Sequence, residues 1–207
     1  MLATLYLRIM NLGQSTAPLV ARPFAGVPSA HNPDAFTGAS YNGPRSSELD
    51  RFIFSPVHYA LVLYATLIAV GRLHEDALLH FNEDGSTVEM IGAEHSPGHE
   101  VTAGSLGQCL SQAAGVALAR RLRGETGRSW VLMSDGEFQS GQTWEAVQAL
   151  AHYLESNSAA FGNAHPGRRH QRDCAVATAG RAKTRSGPEG PQSDRPTGTQ
   201  SSLEKVQ

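Results

Sequence analysis

The chain has 207 residues and a formal net charge of −2, because 19 aspartate and glutamate residues outnumber 17 lysine and arginine residues. This balance excludes the strongly basic surface that bulk nucleic-acid binding requires. Two cysteines are too few for a disulfide framework or a closed zinc site, and the longest apolar run, residues 57–70, is too short to span a bilayer, so we expect a cytoplasmic protein with no nucleic-acid or membrane partner.

Two different patterns open the chain. Apolar residues at helical spacing predict a helix over residues 1–12, without a capping residue before it. Residues 13–50 are rich in Gly, Pro, Ser and Asn, which is typical of a long loop, and long loops in compact domains are often functional.

A short strand and two helices are predicted next. Residues 51–54, "RFIF", are a strand candidate. Ser55 as the N-cap and Pro56 at the first helical position predict a helix that ends at Gly71. Residues 74–81, "HEDALLHF", predict a short amphipathic helix.

Three further elements complete an α/β pattern. Residues 105–122 and 143–156 predict helices, each with one buried apolar face, which includes Leu106 in the first and Trp144 in the second. Residues 129–134, "SWVLMS", predict a strand with both faces buried, as in a parallel sheet. The alternation of strands and helices therefore predicts an α/β fold, with a parallel sheet flanked by helices.

The end of the chain has a different composition. Residues 158–207 lack apolar periodicity and are rich in Arg, Gly, Pro, Ser and Thr. Such a segment cannot bury enough apolar surface to offset the entropy of ordering the chain. We therefore predict a folded domain over residues 1–157 and a disordered tail over residues 158–207.

Polar residues at two predicted element ends suggest a ligand site. Asp135 and Gly136 follow the buried strand, and ligands of parallel sheets bind outside the carboxyl ends of the strands. A carboxylate there can hold Mg²⁺, although most Asp-Gly pairs after strands are simple turns. The glycines of "GSLG", residues 104–107, open a helix whose free N–H groups suit a phosphate, although Ser105 could be an ordinary cap. His58, near an apolar helix, is by itself more typical of packing or capping.

Three long stretches, in chain order, resemble the amino-terminal half of transketolase, a thiamine-diphosphate enzyme. They are "DRFIFSPVHYALVLYATL", "PGHEVTAGSLGQCLSQAAGVALA" and "MSDGEFQSGQTWEAVQALAHY". The family's versions begin "DRFILSKGHA", "PGVEVTTGSLGQG" and "GDGELQEGQVWEA". The resemblance covers about residues 49–157, so it implies a partial thiamine-diphosphate-binding fold.

The resemblance implies roles for individual residues. Asp135 corresponds to a Mg²⁺ ligand of the family, and His58 to a catalytic histidine directed at the cofactor's diphosphate. The residues that correspond to the cofactor-binding set are Gly104, Ser105, Leu106, Gly107, Asp135, Gly136 and Glu137. The implied cofactors are thiamine diphosphate and Mg²⁺, and the cofactor carries the difficult part of the chemistry.

Several positions depart from the family pattern. "SPVH" replaces "SKGH", and Cys109 and Ser140 replace a glycine and a glutamate. The family's second Mg²⁺ ligand is an asparagine about thirty residues after the aspartate, where this chain has Asn163 and His165 without an apolar strand before them. We therefore expect an incomplete amino-terminal domain that leaves the family pattern and the ancestral reading frame near Asn157.

The resemblance implies an enzyme of the transketolase type, which transfers a two-carbon ketol unit between sugar phosphates. The chain would act as an amino-terminal subunit that needs a carboxy-terminal subunit or a second protomer. Two alternatives stay open: a non-catalytic remnant or dimerisation module of a transketolase, and another thiamine-diphosphate enzyme such as a deoxyxylulose-phosphate synthase. A calorimetric titration with thiamine diphosphate and Mg²⁺ separates the first alternative from the enzyme, and the stretch from "GSLGQ" to "DGEFQSGQTWEA" fits transketolase better than the second.

Overall fold

The fold is built on a sheet whose strands β1 and β2 are parallel. The computed structural model describes residues 1–15, 18–27, 29–33, 35–153, 160–161 and 174–179. The strands are β1 (Arg51–Phe54), β2 (Ser129–Ser134), β3 (Ala160–Phe161) and β4 (Cys174–Ala179), in the order β1-β2-β4-β3. The pairing of β1 with β2 confirms the predicted α/β fold with a parallel sheet, and β4 adds an antiparallel neighbour to β2.

Helices precede β1 and connect β1 to β2. The α-helices are α1 (Leu2–Thr4), α2 (Ala60–Ala69), α3 (Gln108–Leu122) and α4 (Gly141–Tyr153), and α1 continues as a π-helical segment, Leu5–Ile9. The 3-10 helices are Gly38–Asn42, Val57–Tyr59, Glu75–His80 and Asp135–Gln139. Among the helices of the described ranges, none is both long and apolar enough to cross a bilayer.

The predicted disordered tail, residues 158–207, lies mostly outside the described residues. The described part of that span is β3 and β4, which pair with each other and, through β4, with β2. The boundary predicted at residue 157 also lies outside the described residues.

Both faces of β1 and β2 are buried, as the apolar pattern of residues 129–134 predicts for β2. One face carries Phe52, Phe54 and Leu132 and packs against α2. The other face packs against α3 and α4 in a cluster formed by Ile53, Cys109, Leu110, Ala113, Ala117, Val131, Met133, Ala146 and Leu150. Alternating side chains therefore join the helices to opposite sides of the sheet.

Three predictions about helix ends and faces are wrong. Ser55 does not cap a helix, because a 3-10 helix intervenes before α2 and the Ser55 hydroxyl donates to Glu137 instead. Leu106 is 50% exposed because α3 begins only at Gln108, so Leu106 lies in the preceding loop. Trp144 is 54% exposed, and its indole N–H donates to the Phe138 carbonyl at 2.9 Å.

A buried histidine lies in the loop before α3. His99 is fully buried, with its ring edge-on to Phe54 and Tyr64, and its Nε2 atom has no hydrogen-bond partner among the described residues. Gly92 makes room for this ring, since a Cβ on Gly92 would lie 2.2 Å from His99 Cε1. Burial, with a smaller contribution from His95, lowers the pKa of His99 to about 4.

The buried His99 makes stability depend on pH. Its folded-state pKa lies below the unfolded value of about 6.5, so only the unfolded state takes up the proton between these two values. The contribution of neutral His99 to the free energy of unfolding is therefore fully present above pH about 6.5. It is lost as pH falls towards 4, and the total loss is about 3 kcal/mol. Urea unfolding across this range should show the loss in the parent and in His80→Gln, a control at an exposed histidine. An equally steep loss in His99→Val would contradict this assignment.

Candidate functional site

The carboxyl ends of β1 and β2 meet at one edge of the sheet. Ser55 follows β1, and Ser134 is the last residue of β2, so parallel pairing brings the two serines to the same edge. The start of α3 reaches the same place, because its N-cap residue, Gly107, is hydrogen-bonded to Glu137, which follows β2. Two strand ends and a helix N-terminus thus converge, which is the arrangement expected of a ligand site in an α/β protein.

A buried carboxylate, that of Glu137, joins these three element ends. Glu137 Oε1 accepts hydrogen bonds from the Ser55 hydroxyl and from the Gly107 N–H, the latter at 3.0 Å. Glu137 Oε2 accepts from the Ser134 N–H at 2.7 Å and from the Ser134 hydroxyl at 3.3 Å. Glu137 has no exposed surface, so its carboxylate is enclosed by protein donors.

The sequence pattern places Glu137 among the cofactor-binding residues but does not predict this bridging position. One local signal points towards it. Ser134 and Glu137 form a capping box, a Ser-x-x-Glu pattern in which each side chain binds the other residue's backbone. The contacts to Ser55 and Gly107 lie far away in sequence, and no local pattern predicts them.

The loop of residues 104–107 has the backbone that its glycines were expected to provide. Gly104 and Gly107 have φ values of +128° and +85°, which side chains disfavour. Gly104, Ser105 and Leu106 are exposed, whereas Gly107 is buried. The loop therefore presents three residues to solvent while Gly107 fixes it to Glu137.

Replacing Gly107 by alanine should lower the free energy of unfolding by about 2–3 kcal/mol. The positive φ is strained for alanine, and the added Cβ would lie 2.9 Å from Thr143 Oγ1 and 3.0 Å from Ser140 Oγ. Gly136→Ala is the matched control, because a Cβ there meets nothing within 4 Å, so its effect should stay within about 0.5 kcal/mol. Equal urea midpoints for the two variants would contradict the strain that we assign to an alanine at position 107.

Asp135 and Gly136 lie beside this loop at the end of β2. Asp135 is exposed, and its Oδ1 atom accepts the Gly136 N–H at 2.9 Å. The rest of the Asp135 carboxylate makes no hydrogen bond with the described residues. Within the described ranges, no three His, Cys, Asp or Glu side chains cluster as a metal site.

His58 lies next to the same loop. It is exposed, belongs to the 3-10 helix Val57–Tyr59, and stacks at a tilt on Tyr59 with 4.2 Å between ring centroids. Its neighbour Val57 is buried, and Val57 Cγ2 lies 3.7 Å from where a Cβ on Gly104 would stand. The turn after β1 thus packs on the glycine loop and holds His58 near it.

Cys109, which replaces a glycine of the resembled pattern, is a packing residue. It is fully buried in the first turn of α3, in the cluster behind the sheet. Burial, and secondarily the Glu137 carboxylate, raises the pKa of the Cys109 thiol to about 11. A buried thiol with a raised pKa stays protonated near neutral pH and is unreactive.

Comparison with known proteins identifies the family of this chain. The family model described as "Transketolase, thiamine diphosphate binding domain" matches residues 33–158. A putative transketolase family protein, y4mO, of Sinorhizobium fredii is 42% identical over 109 residues, which are 52% of this chain and 39% of that protein. One subunit of the apulose-4-phosphate transketolase of Phocaeicola vulgatus is 34% identical over 118 residues, which are 57% of this chain and 42% of that protein.

Human transketolase is 33% identical over 119 residues, which are 57% of this chain and 19% of the human protein. The chain thus matches less than half the length of each of these curated relatives. All the exposed residues of the sheet edge, and the buried Glu137, fall inside the family match. Since that match takes in more than half of the chain, the chain belongs to the family of the transketolase thiamine-diphosphate-binding domain.

Proposed function

We propose that this chain binds Mg²⁺ and thiamine diphosphate as the diphosphate-binding part of a transketolase-type enzyme. The observation that carries the proposal is the convergence of the exposed loop Gly104–Leu106 and the exposed Asp135 carboxylate at one sheet edge. The residue next to each, Gly107 and Ser134, is hydrogen-bonded to the buried Glu137. An oxygen ligand, a helix N-terminus and open glycine backbone are the groups that a Mg²⁺-bound diphosphate requires.

The residues of the edge fit distinct roles. Asp135 would be the protein carboxylate on Mg²⁺, and the loop of residues 104–107 would contact the cofactor through its backbone. Gly136 leaves open space, since a Cβ there would meet nothing within 4 Å, so a bound group can come close to its backbone. His58 would donate to a phosphate oxygen or act on substrate, and its exposure in the turn that packs on this loop supports either role.

Glu137 is better suited to positioning than to contact with the cofactor. Both of its oxygens already accept hydrogen bonds from protein groups, and it has no exposed surface. By holding the Gly107 N–H and the Ser134 N–H at fixed distances from one carboxylate, it sets the spacing between the α3 N-terminus and Asp135. Positioning of this kind is what keeps a binding site preorganised.

The reaction we propose is transfer of a two-carbon ketol unit between sugar phosphates. Thiamine diphosphate, when bound, supplies the reactive carbon, and this chain's residues bind and orient it. The chain would act together with a carboxy-terminal subunit or a second protomer. Two of the relatives support this arrangement, since each is named as one subunit of an apulose-4-phosphate transketolase and is matched over about two fifths of its length.

The test is a calorimetric titration of the full chain with thiamine diphosphate and, separately, with thiamine, both in Mg²⁺. We expect thiamine diphosphate to bind and thiamine not to bind, because the proposed contacts are to the diphosphate and its metal. Equal binding of thiamine, or binding unchanged by a Mg²⁺ chelator, would overturn the proposed site. Absence of binding even with an added carboxy-terminal transketolase subunit would favour the non-catalytic alternative.

A further inference from the structure

A cavity lies at the carboxyl-terminal end of α2, whereas the turn that carries His58 lies at its amino-terminal end. It has a volume of about 480 Å³ and is formed by the long loop before β1 and by Arg72, which follows α2. The polar groups that decide its chemistry are Arg22, Arg45, Arg72, Thr37, Ser40 and Tyr41. A cavity of this size accommodates a small metabolite.

The buried arginine of this cavity lacks an anionic partner among the described residues. Arg72 is only 8% exposed, and its Nη2 donates to the Gly13 carbonyl at 3.1 Å. A guanidinium has five N–H donors, and a buried cation is costly unless it is paired. Burial accordingly lowers the pKa of Arg72. A bound anion would supply the missing partner.

Two exposed arginines of the cavity are held by neutral groups. The Arg22 guanidinium carbon lies 4.2 Å from the centre of the Phe36 ring, and Arg45 Nη2 donates to Thr37 Oγ1 at 2.9 Å. These contacts orient the guanidinium groups and leave most of their N–H donors and their whole charge available. No carboxylate appears among the described lining residues, although the chain as a whole is acidic.

We propose that this cavity binds the phosphate group of a small molecule, through Arg22, Arg45 and Arg72. Planar guanidinium groups match phosphate oxygens with paired hydrogen bonds, and the charge of three of them would more than neutralise a phosphate dianion. The hydroxyls of Thr37, Ser40 and Tyr41 all lie on the same lining.

This site is separate from the proposed cofactor site and does not depend on it. The turn that carries His58 precedes α2, and Arg72 follows α2. A helix of ten residues is about 15 Å long, so the helix spaces the two sites apart. No residue of the cavity lining belongs to the loop of residues 104–107 or to residues 135–137.

The experiment is a calorimetric titration of the full chain with inorganic phosphate, with chloride at matched ionic strength as the reference. We expect saturable phosphate binding in the parent and binding about tenfold weaker in Arg22→Gln and in Arg45→Gln, since each loses charge-assisted hydrogen bonds. Both side chains are exposed, so the fold should persist. Arg8→Gln is the matched control, because Arg8 is exposed and does not line the cavity.

A second arm compares glycerol 3-phosphate with inorganic phosphate, and glycerol, which carries no phosphate, should not bind. Tighter binding of the ester than of inorganic phosphate assigns the cavity to an organic phosphate, and the reverse order assigns it to the free ion. The proposal is overturned if chloride matches phosphate, if no saturable binding occurs up to about 10 mM phosphate, or if Arg22→Gln and Arg45→Gln bind as the parent does. If phosphate bound at the start of α3 instead, Arg22→Gln and Arg45→Gln would bind it as the parent does.

Discussion

Replacing Asp135 by alanine should weaken the binding of thiamine diphosphate in Mg²⁺ by about 10- to 100-fold. Asp135 is the exposed carboxylate at the end of β2, beside the glycine loop that starts α3. Mg²⁺ requires near-octahedral oxygen ligands and releases its waters reluctantly, so a metal that loses its carboxylate loses its position. The cofactor's diphosphate would then have to bind without the cation that offsets its charge.

The measurement is isothermal titration of the parent, of Asp135→Ala and of Asp84→Ala, each with and without Mg²⁺. Asp84 is an exposed aspartate of a surface loop, so its replacement controls for the loss of one negative charge. We expect Mg²⁺ to strengthen binding in the parent and in Asp84→Ala only. If Asp135→Ala keeps the Mg²⁺ dependence, the metal is held elsewhere.

The parent chain alone is expected to bind more weakly than micromolar. In the proposed enzyme a second subunit covers part of the cofactor, and each tenfold loss of affinity corresponds to about 1.4 kcal/mol. Two or three such losses move a micromolar affinity towards millimolar. Addition of a carboxy-terminal transketolase subunit should restore affinity in the parent and not in Asp135→Ala. Micromolar binding by the chain alone would contradict the need for a partner.

The elements that depend on local pattern were predictable from the sequence. An unbroken apolar run specified β2 with both faces buried, and the Asp-Gly after it marks where the chain leaves the strand for the 3-10 helix Asp135–Gln139. The glycines of residues 104–107 specified a helix start, and Gly107 is the N-cap of α3. In each case the physical cause lies within a few residues, so the sequence records it.

The features that depend on distant contacts were not predictable. Ser55 follows good capping rules, yet its hydroxyl donates to Glu137, 82 residues further along the chain. That partner exists only because β1 and β2 are parallel neighbours. Helical periodicity likewise places Trp144 on an apolar face, but it does not show whether another element covers that face, and here the indole is half-exposed.

Replacing Glu137 by alanine should lower the free energy of unfolding by about 3–5 kcal/mol. The change removes the acceptor of the Gly107 and Ser134 N–H groups and of the Ser55 hydroxyl, and it leaves a cavity at a fully buried position. Each buried donor without a partner costs about 1–3 kcal/mol. Urea unfolding measures the loss, with an unchanged slope showing that both proteins unfold by the same transition.

Two further variants separate the network from a general effect of losing a glutamate. Glu145 lies on the exposed side of α4, so Glu145→Ala should change the free energy of unfolding by no more than about 0.5 kcal/mol. Glu137→Gln keeps the volume but turns an NH₂ group towards one pair of donors, so it should cost about 1–3 kcal/mol and stay folded. A Glu137→Gln as stable as the parent would show that the carboxylate does not hold the element ends together.

The glutamine variant also tests the positioning role. Glu137 touches the backbone of Gly107 and of Ser134, the residue next to Asp135, and it has no exposed surface of its own. If it positions the site, folded Glu137→Gln should bind Mg²⁺ and thiamine diphosphate more weakly although Asp135 and the glycine loop are intact. The binding that remains should still depend on Mg²⁺, because the metal's carboxylate is present. Unchanged affinity in a measurably destabilised Glu137→Gln would restrict this residue to stability, since the spacing between α3 and Asp135 would then be set by other contacts.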